Sequence, residues 1–490
     1  MMIKSIFSLV LINNFLKPTY MNKFYIFFLF LLVLGTMSGR AQIDINSYNA
    51  VGGGYATTYL ADYQCLGINP ANIGWTNDNH NFNLGLLETG VSLYTNALTK
   101  DQVVHDLFNN NIQLSLSQKL NAANEFTDTR LWGQAAVTWL GLSYYNKVVG
   151  GFAFSIRDRI LWNTEFNTAA AQFLFLGYHA PYFDSLVVKN HDTTGYSKNP
   201  KLLSQVYNGT KLGFIWYREY NFGYGRQIID NKIIAIYGGI GLKYLEGYGS
   251  FMFDIDKGQL SAYSSLGPEF NINYGATSPS SMSGNGLKKV GSGYGLDLGL
   301  TIRILKMIKI GLAVNDIGYI NWNGNVYQVN DLSVYKITTG GINNYNIFSS
   351  GQLIKTDGLP SDSNTWKGLK SKRVDLPGVF RGGASIRPIP QIEAGFDIVV
   401  PLNTKVPGAM NKEAFGLGLH FTPVKWVEIS AGLVTGAEVG TNIPLGLTFY
   451  PVRNDKVTWE LGIATRDMPV FFKKSDIMAS VALGFIRFGF

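Results

Sequence analysis

Residues 294–304 read Tyr-Gly-Leu-Asp-Leu-Gly-Leu-Thr-Ile-Arg-Ile, with an apolar side chain at every second position. Tyr294, Leu296, Leu298, Leu300, Ile302 and Ile304 share one face; Gly295, Asp297, Gly299, Thr301 and Arg303 share the other. A period of two is that of a strand, whose successive side chains point to opposite sides. The same alternation runs through 152–157, 392–398, 415–422 and 457–463. A soluble sandwich also alternates, but its polar faces meet solvent and are usually rich in Lys, Glu and Thr. Here they carry Gly, small residues and scattered charges of both signs. That pattern favours a transmembrane barrel, with an apolar face toward lipid and a polar face toward an enclosed lumen. Trp132, Tyr144, Tyr294, Trp426 and Tyr450, near the predicted strand ends, suit the aromatic girdles of such barrels.

Connection lengths point the same way. Tight links are predicted near Asn146–Lys147, Ile229–Asn231, Leu305–Lys306, Arg387–Pro390, Pro423–Val424 and Arg453–Lys456. Longer links alternate with them at about 159–210, 274–291, 319–378, 402–412, 435–442 and 465–477. Short turns at one rim and long loops at the other make an up-and-down antiparallel meander. An all-β barrel of 14 strands follows, or 16 if the segment 246–273 around Asp256-Lys257-Gly258 also spans the bilayer. Closure satisfies the backbone groups that lipid cannot.

Composition removes the alternatives. Charged residues make up only 15% of the 490, aromatics 14%, and Gly contributes 55. Such a Gly load disfavours a helical assembly, because each Gly costs about 1 kcal/mol against Ala in a helix. A helical membrane protein needs several apolar runs of about 20 residues. One comparable run exists, at the N-terminus. From Met21 the chain has a cationic start, an apolar block Phe24–Leu34, and small residues Gly39 and Ala41 before a break. This reads as a secretory signal, cut between Ala41 and Gln42; either Met1 or Met21 could be the start. Removing residues 1–41 takes four basic residues and no acid, lowering the formal charge from +8 to +4. Without a basic run, nucleic acid is not an expected partner. The lone Cys65 excludes an internal disulfide and a multi-cysteine metal site. Localisation in a Gram-negative outer membrane is the consequence.

The chain ends Phe485-Ile-Arg-Phe-Gly-Phe490, with Phe488 and Phe490 on one face of a last strand. This resembles the C-terminal signal read by the outer-membrane insertion machinery, an expected partner together with the surrounding lipid. Residues 42–80 precede the first predicted spanning strand, at about 82–94, and contain Gly52-Gly53-Gly54 and Asn69-Pro70-Ala71-Asn72-Ile73-Gly74-Trp75. The segment resembles the N-terminal hatch of the long-chain fatty acid transporter (FadL-like) superfamily. With Lys243–Gly247, Asp316–Trp322 and Leu376-Pro377, the layout is similar to a Bacteroidota outer-membrane family of unknown function within that group. The resemblance implies a plug at 42–80, with Asn69, Pro70 and Ala71 as its motif, and a barrel over 81–490. It supplies no substrate, and related barrels also serve type IX secretion.

Catalytic motifs are absent: no Gly-x-Ser-x-Gly, His-Glu-x-x-His, P-loop or Cys-x-x-Cys occurs. Neither an enzyme nor a cofactor or metal site is expected. Gly291–Gly295 opens a strand, and Asp254–Gly258 is a turn lacking calcium-loop ligands. The predicted lumen face bears Arg157, Asp297, Arg303, Lys309, Glu393, Asp397, His420, Glu428, Glu460 and Arg487. Mixed signs favour internal ion pairs that brace the wall over a strongly ion-selective pore. Residues 97–108 and 169–177 have helical character with an apolar face, and packing on the rim is their default reading. The link 319–378, rich in Asn, Ser and Thr, is the expected surface-exposed binding loop. Two roles remain open: passive uptake of a hydrophobic small molecule through a plugged barrel, or a non-transporting barrel that assists secretion or anchors surface proteins.

Overall fold

The computed structural model describes residues 45, 47–76, 80–106, 109, 111, 113–190, 192–345, 365–436 and 440–490; the predicted export segment 1–41 and its cleavage position lie outside them. Fourteen long strands among the described residues form one ring. They are β1 (Phe82–Thr95), β2 (Arg130–Asn146), β3 (Gly150–Glu165), β4 (Lys211–Asp230), β5 (Ile234–Asp256), β6 (Gly291–Ile304) and β7 (Ile308–Trp322). The ring continues with β8 (Val379–Ile389), β9 (Ile392–Pro401), β10 (Ala414–Val424), β11 (Val427–Gly436), β12 (Leu445–Arg453), β13 (Thr458–Thr465) and β14 (Ile477–Gly489). Each pairs antiparallel with the next, and β14 pairs with β1 from Asn83–Gly489 to Thr95–Ile477. That last pairing separates a barrel from a sandwich: no edge strand is left in the ring.

Cross-strand rows show the two faces. Phe154, Phe222, Leu242, Leu296 and Ile317 lie side by side around β3–β7. One residue along, Ser155, Asn221, Lys243 and Gly295 form the inner row. Outward side chains such as Val91, Phe222, Leu242, Leu298, Leu312 and Phe485 are well exposed, whereas inner Ser155, Asn221 and Lys243 are buried. A soluble domain would invert that arrangement; a lipid-facing wall requires it.

The segment 246–273 does not add spanning strands. The first part of β5, Ile234–Gly247, pairs with β6, while its extension Gly249–Asp256 pairs with Gln259–Leu266. The hairpin turns at Lys257 and Gly258, both at positive φ, and stands above the wall. Hence the ring has fourteen strands rather than sixteen.

All the short turns fall at one rim and the long connections at the other. The long connections pack into a lid with its own apolar core, including Phe126, Phe166, Phe173, Phe175, Leu203, Phe253, Tyr327 and Trp366. The two longest helices among the described residues stand in it, α2 (Leu116–Phe126) and α3 (Thr168–Leu176), numbered after a short helix α1 (Tyr48–Gly53) in the N-terminal segment. Over the described part of the expected helix at 97–108, a short helical stretch forms at Gln102–Asp106. The longer helix follows it, started by a Ser115/Gln118 capping box, a recognisable signal. The link 319–378 is also not a free surface loop over its described part. Val326, Val329, Ile337 and Trp366 are buried, and Val329, Ile337 and Trp366 belong to the apolar core of the lid.

Candidate functional site

Residues 47–75 lie inside the ring. Helix α1 touches β10–β14, the turn Asp62–Cys65 touches β2 and β3, and Pro70–Gly74 touches β2–β6. A segment that meets opposing walls of a closed ring must cross its lumen. Ser47 caps α1 by accepting from Asn49 N, and Gly54, at φ +73°, ends it. Asn69 caps the second 3-10 turn, accepting from Ala71 N at 3.2 Å.

Small wall residues make room for this plug. Gly85 and Gly141 lie side by side in β1 and β2, and a β-carbon on either would overlap the Tyr63 ring. Paired Gly462 and Gly484 in β13 and β14 do the same for Tyr48. Gly239 and Gly299 accommodate Pro70 and Asn69, and Gly418 lies against the carbonyl oxygen of Gly53. The abundant Gly of the polar faces is thus a cast of the plug.

Polar wall residues fasten it. Asp397 Oδ2 accepts from Ala56 N at 2.7 Å, Thr57 N at 2.9 Å and Thr57 Oγ1 at 2.9 Å. Glu428 accepts from Tyr59 Oη at 2.5 Å, and its other neighbour, His420 Nδ1, is 3.0 Å away. The His420 ring stacks on Tyr59 at 3.5 Å. Glu460 accepts from Tyr48 Oη and from Asn49 Nδ2 at 3.2 Å. Arg487 bridges Glu460 and Asp62 of the plug. Asn69 donates to Thr301 Oγ1 at 2.9 Å, and Arg157 reaches the Leu66 carbonyl at 3.4 Å. Arg303 lies over the Trp75 ring at 5.5 Å. Pro70 and Ala71 add backbone bulk, both fully buried.

The remaining predicted lumen residues brace the wall. Lys309 pairs with Glu393 at 2.7 Å across β7–β9. Asp297 pairs with Lys243 at 3.0 Å, and Arg157 with Glu219 at 3.1 Å. Arg159 and Asp316 complete this network at 3.0 Å. Phe488 stacks on Trp459 and on Phe490, at the turn-side end of β14.

Sequence reading missed Glu88, which takes Tyr63 Oη at 2.6 Å, and also Arg159, Glu219, Lys243 and Asp316. Two of these sit where alternation breaks. Leu87 and Asp316 have positive φ, and the β6–β7 register shifts between Val314 and Ile317. A bulge inserts one residue, so inside and outside exchange parity beyond it. Lys243 does alternate, between Leu242 and Tyr244, and was readable in principle.

Beneath the plug, at the turn rim, lies a polar cavity of about 90 Å³ lined by Tyr59, Asp62, Glu428, Arg453, Glu460 and Arg487 among others. Above it, a chamber of about 40 Å³ is bounded by Gly67, Arg159, Leu161, Asp316, Val379, Arg381 and Met410. That is space for a few waters. Beside the chamber the β7–β8 ladder is interrupted: Asn315–Val379 is its last pair, and Tyr319–Asp375 begins the next stretch. Pro377, which has no N–H to donate, stands in the gap.

The seating of the plug has a built-in reporter. Cys65 is the chain's single cysteine and is fully buried, and burial pushes its thiol well above the ordinary range. A Gly418→Val substitution places side-chain carbon where the Gly53 carbonyl lies. Maleimide labelling of Cys65 in folded protein is expected to be slow in the parent and at least about tenfold faster in this variant, the equivalent of ~1.4 kcal/mol of lost seating. Equal rates would show that the wall yields instead.

A profile for a family of unknown function, DUF5723, matches residues 70–453. No curated protein matches. Among solved structures, a TodX monoaromatic hydrocarbon channel carrying a deletion is 11% identical, covering 90% of this chain and 97% of that one, with a TM-score of 0.46. The Pseudomonas putida toluene transporter TodX is 10% identical over 92% and 99%, TM-score 0.41. A Pseudomonas aeruginosa FadL homologue is 10% identical over 92% and 97%, TM-score 0.40.

Proposed function

The chain belongs to the DUF5723 family of unknown function, and we propose that it is an outer-membrane barrel for passive uptake or exchange of a hydrophobic small molecule, closed at rest by its plug. The observation that carries this reading is the way the plug is held. Described plug residues join the wall through side-chain hydrogen bonds, ion pairs and packing, without strand pairing. Such a segment can shift while the ring stays intact. The interrupted β7–β8 ladder beside the upper chamber supports a route from the bilayer. The upper chamber has room for a few waters, so a larger molecule entering there requires the plug to move.

Uptake of a hydrophobic fluorescent probe into proteoliposomes tests the reading. The expected result is faster entry with protein than without; equal permeability would sink it. The ordered lid favours a second reading, a barrel that presents an outer platform and assists surface or secreted proteins. A stoichiometric partner recovered from membranes, with no change in permeability, would select it.

A further inference from the structure

The lid carries a small three-stranded sheet outside the barrel wall, in the order Lys336–Ile337, Asp192–Tyr196, Ser185–Lys189. Its last strand, Ser-Leu-Val-Val-Lys, is an edge among the described residues. All five residues are exposed, Leu186 at 48%, Val187 at 49% and Val188 at 69%. The partner strand, by contrast, is fixed to the lid: Gly195 lies against Tyr178 and Phe183, and Gly195 and Tyr196 pair with Ile337 and Lys336 on its other side.

The hairpin fixes which backbone groups are free. Lys189 pairs with Asp192 across a two-residue turn in which Asn190 has φ +52°. In such a hairpin the pair flanking the turn exchanges ladder bonds, and every second pair does so thereafter. Lys189–Asp192, Val187–Thr194 and Ser185–Tyr196 are therefore the bonded pairs. The N–H and C=O groups of Leu186 and Val188 point away from the sheet. Natural proteins usually shield such an edge with charge, proline or a covering loop. Here the middle is apolar, and charge appears only at the ends, Asp184 before the strand and Lys189 at its close.

We propose that Ser185–Lys189 is a docking edge for an extended segment of another protein at the cell surface, which adds antiparallel as a fourth strand. Strand addition draws affinity from main-chain hydrogen bonds and specificity from alternate side chains. The two end charges set the direction. An incoming strand complements the edge when its acidic residue meets Lys189 and its basic residue meets Asp184, with β-branched residues between. The site depends on the barrel's orientation, with the lid outward, but not on uptake through the lumen.

The test uses full-length protein in detergent and a fluorescent peptide, Asp-Val-Val-Val-Thr-Lys, read by anisotropy. Saturable binding is expected. A peptide N-methylated at the backbone groups facing the edge is expected to bind at least about tenfold more weakly, which corresponds to ~1.4 kcal/mol. Val188→Pro removes only an outward N–H, a position where edge strands tolerate proline; it should weaken binding similarly, while Val188→Thr should leave it nearly unchanged. Lys189→Glu should weaken the acidic-first peptide and improve one with its end charges exchanged. No binding by the parent, or equal binding of the N-methylated peptide, would overturn the proposal. A concentration-dependent dimer abolished by Val188→Pro would overturn it in favour of a second copy as the occupant.

Discussion

Excising residues 45–76 is expected to turn a non-conducting barrel into an open pore. The reason is geometric. Fourteen strands enclose a lumen that this segment crosses from wall to wall, with a cavity of about 90 Å³ below it and one of about 40 Å³ above it. Glycines that press on the plug would be left facing water, and the lumen at Gly85, Gly141, Gly462 and Gly484 would widen where it is now packed with Tyr63 and Tyr48. The barrel itself should survive, because no ring pairing involves the plug. Asp397, Glu428 and Glu460 would exchange plug donors for water, at a net cost of about 1.5–3 kcal/mol for each hydrogen bond to a charged carboxylate, while the strand ladders of the ring stay in place. Planar-bilayer recording of both proteins checks this. The parent should show no steps and the excised protein stable ones, with weak ion selectivity from a wall of mixed charge. A silent excised barrel that is correctly folded would show that the lid alone seals the lumen.

Lys243→Met is expected to be the most damaging single substitution in the wall. The Lys243 ammonium lies 3.0 Å from Asp297 and 2.5 Å from Asp316, with no exposed side-chain surface. Around it Arg157 pairs with Glu219, and Arg159 with Asp316, so three cations face three carboxylates. Methionine fills the space but leaves Asp297 without its ion-pair partner beside Asp316, whose N–H it accepts at 2.9 Å. Removing one partner of a buried pair costs about 3–5 kcal/mol, mostly from the charge left behind. The urea midpoint, followed by the mobility shift of folded barrels on unheated gels, should fall accordingly. Adding Asp297→Asn should recover part of the loss, because it removes the stranded charge. A loss below about 1 kcal/mol would mean that lumen water reaches the network and screens it.

Much of the wall is legible as alternation, because a barrel strand must present lipid on one side and lumen on the other for its whole length. The alternation predicts that Arg157, Asp297, Lys309, Glu393 and Asp397 face inward, and the structure buries each of them. Glu88 and Asp316 escaped because a bulge beside each one breaks the parity on which the reading depends. The lid helices were harder. Packing decides them more than local preference, so the described part of 97–108 holds the short stretch Gln102–Asp106 while the capped segment Leu116–Phe126 holds three turns.

Alternation, turn spacing and low charge by themselves determined the strands outside 246–273, their order and their lipid-facing side, since each is a local consequence of period two in a bilayer. Only the tertiary structure decided what the inner face is for. Whether Asp397 braces the wall or holds Ala56 and Thr57 depends on a contact across some 340 residues, and no local pattern encodes such a partner. The same holds for glycine: alternation marks it as small and inward, but the Tyr48 and Tyr63 rings that require it arrive from the far end of the chain's path around the ring.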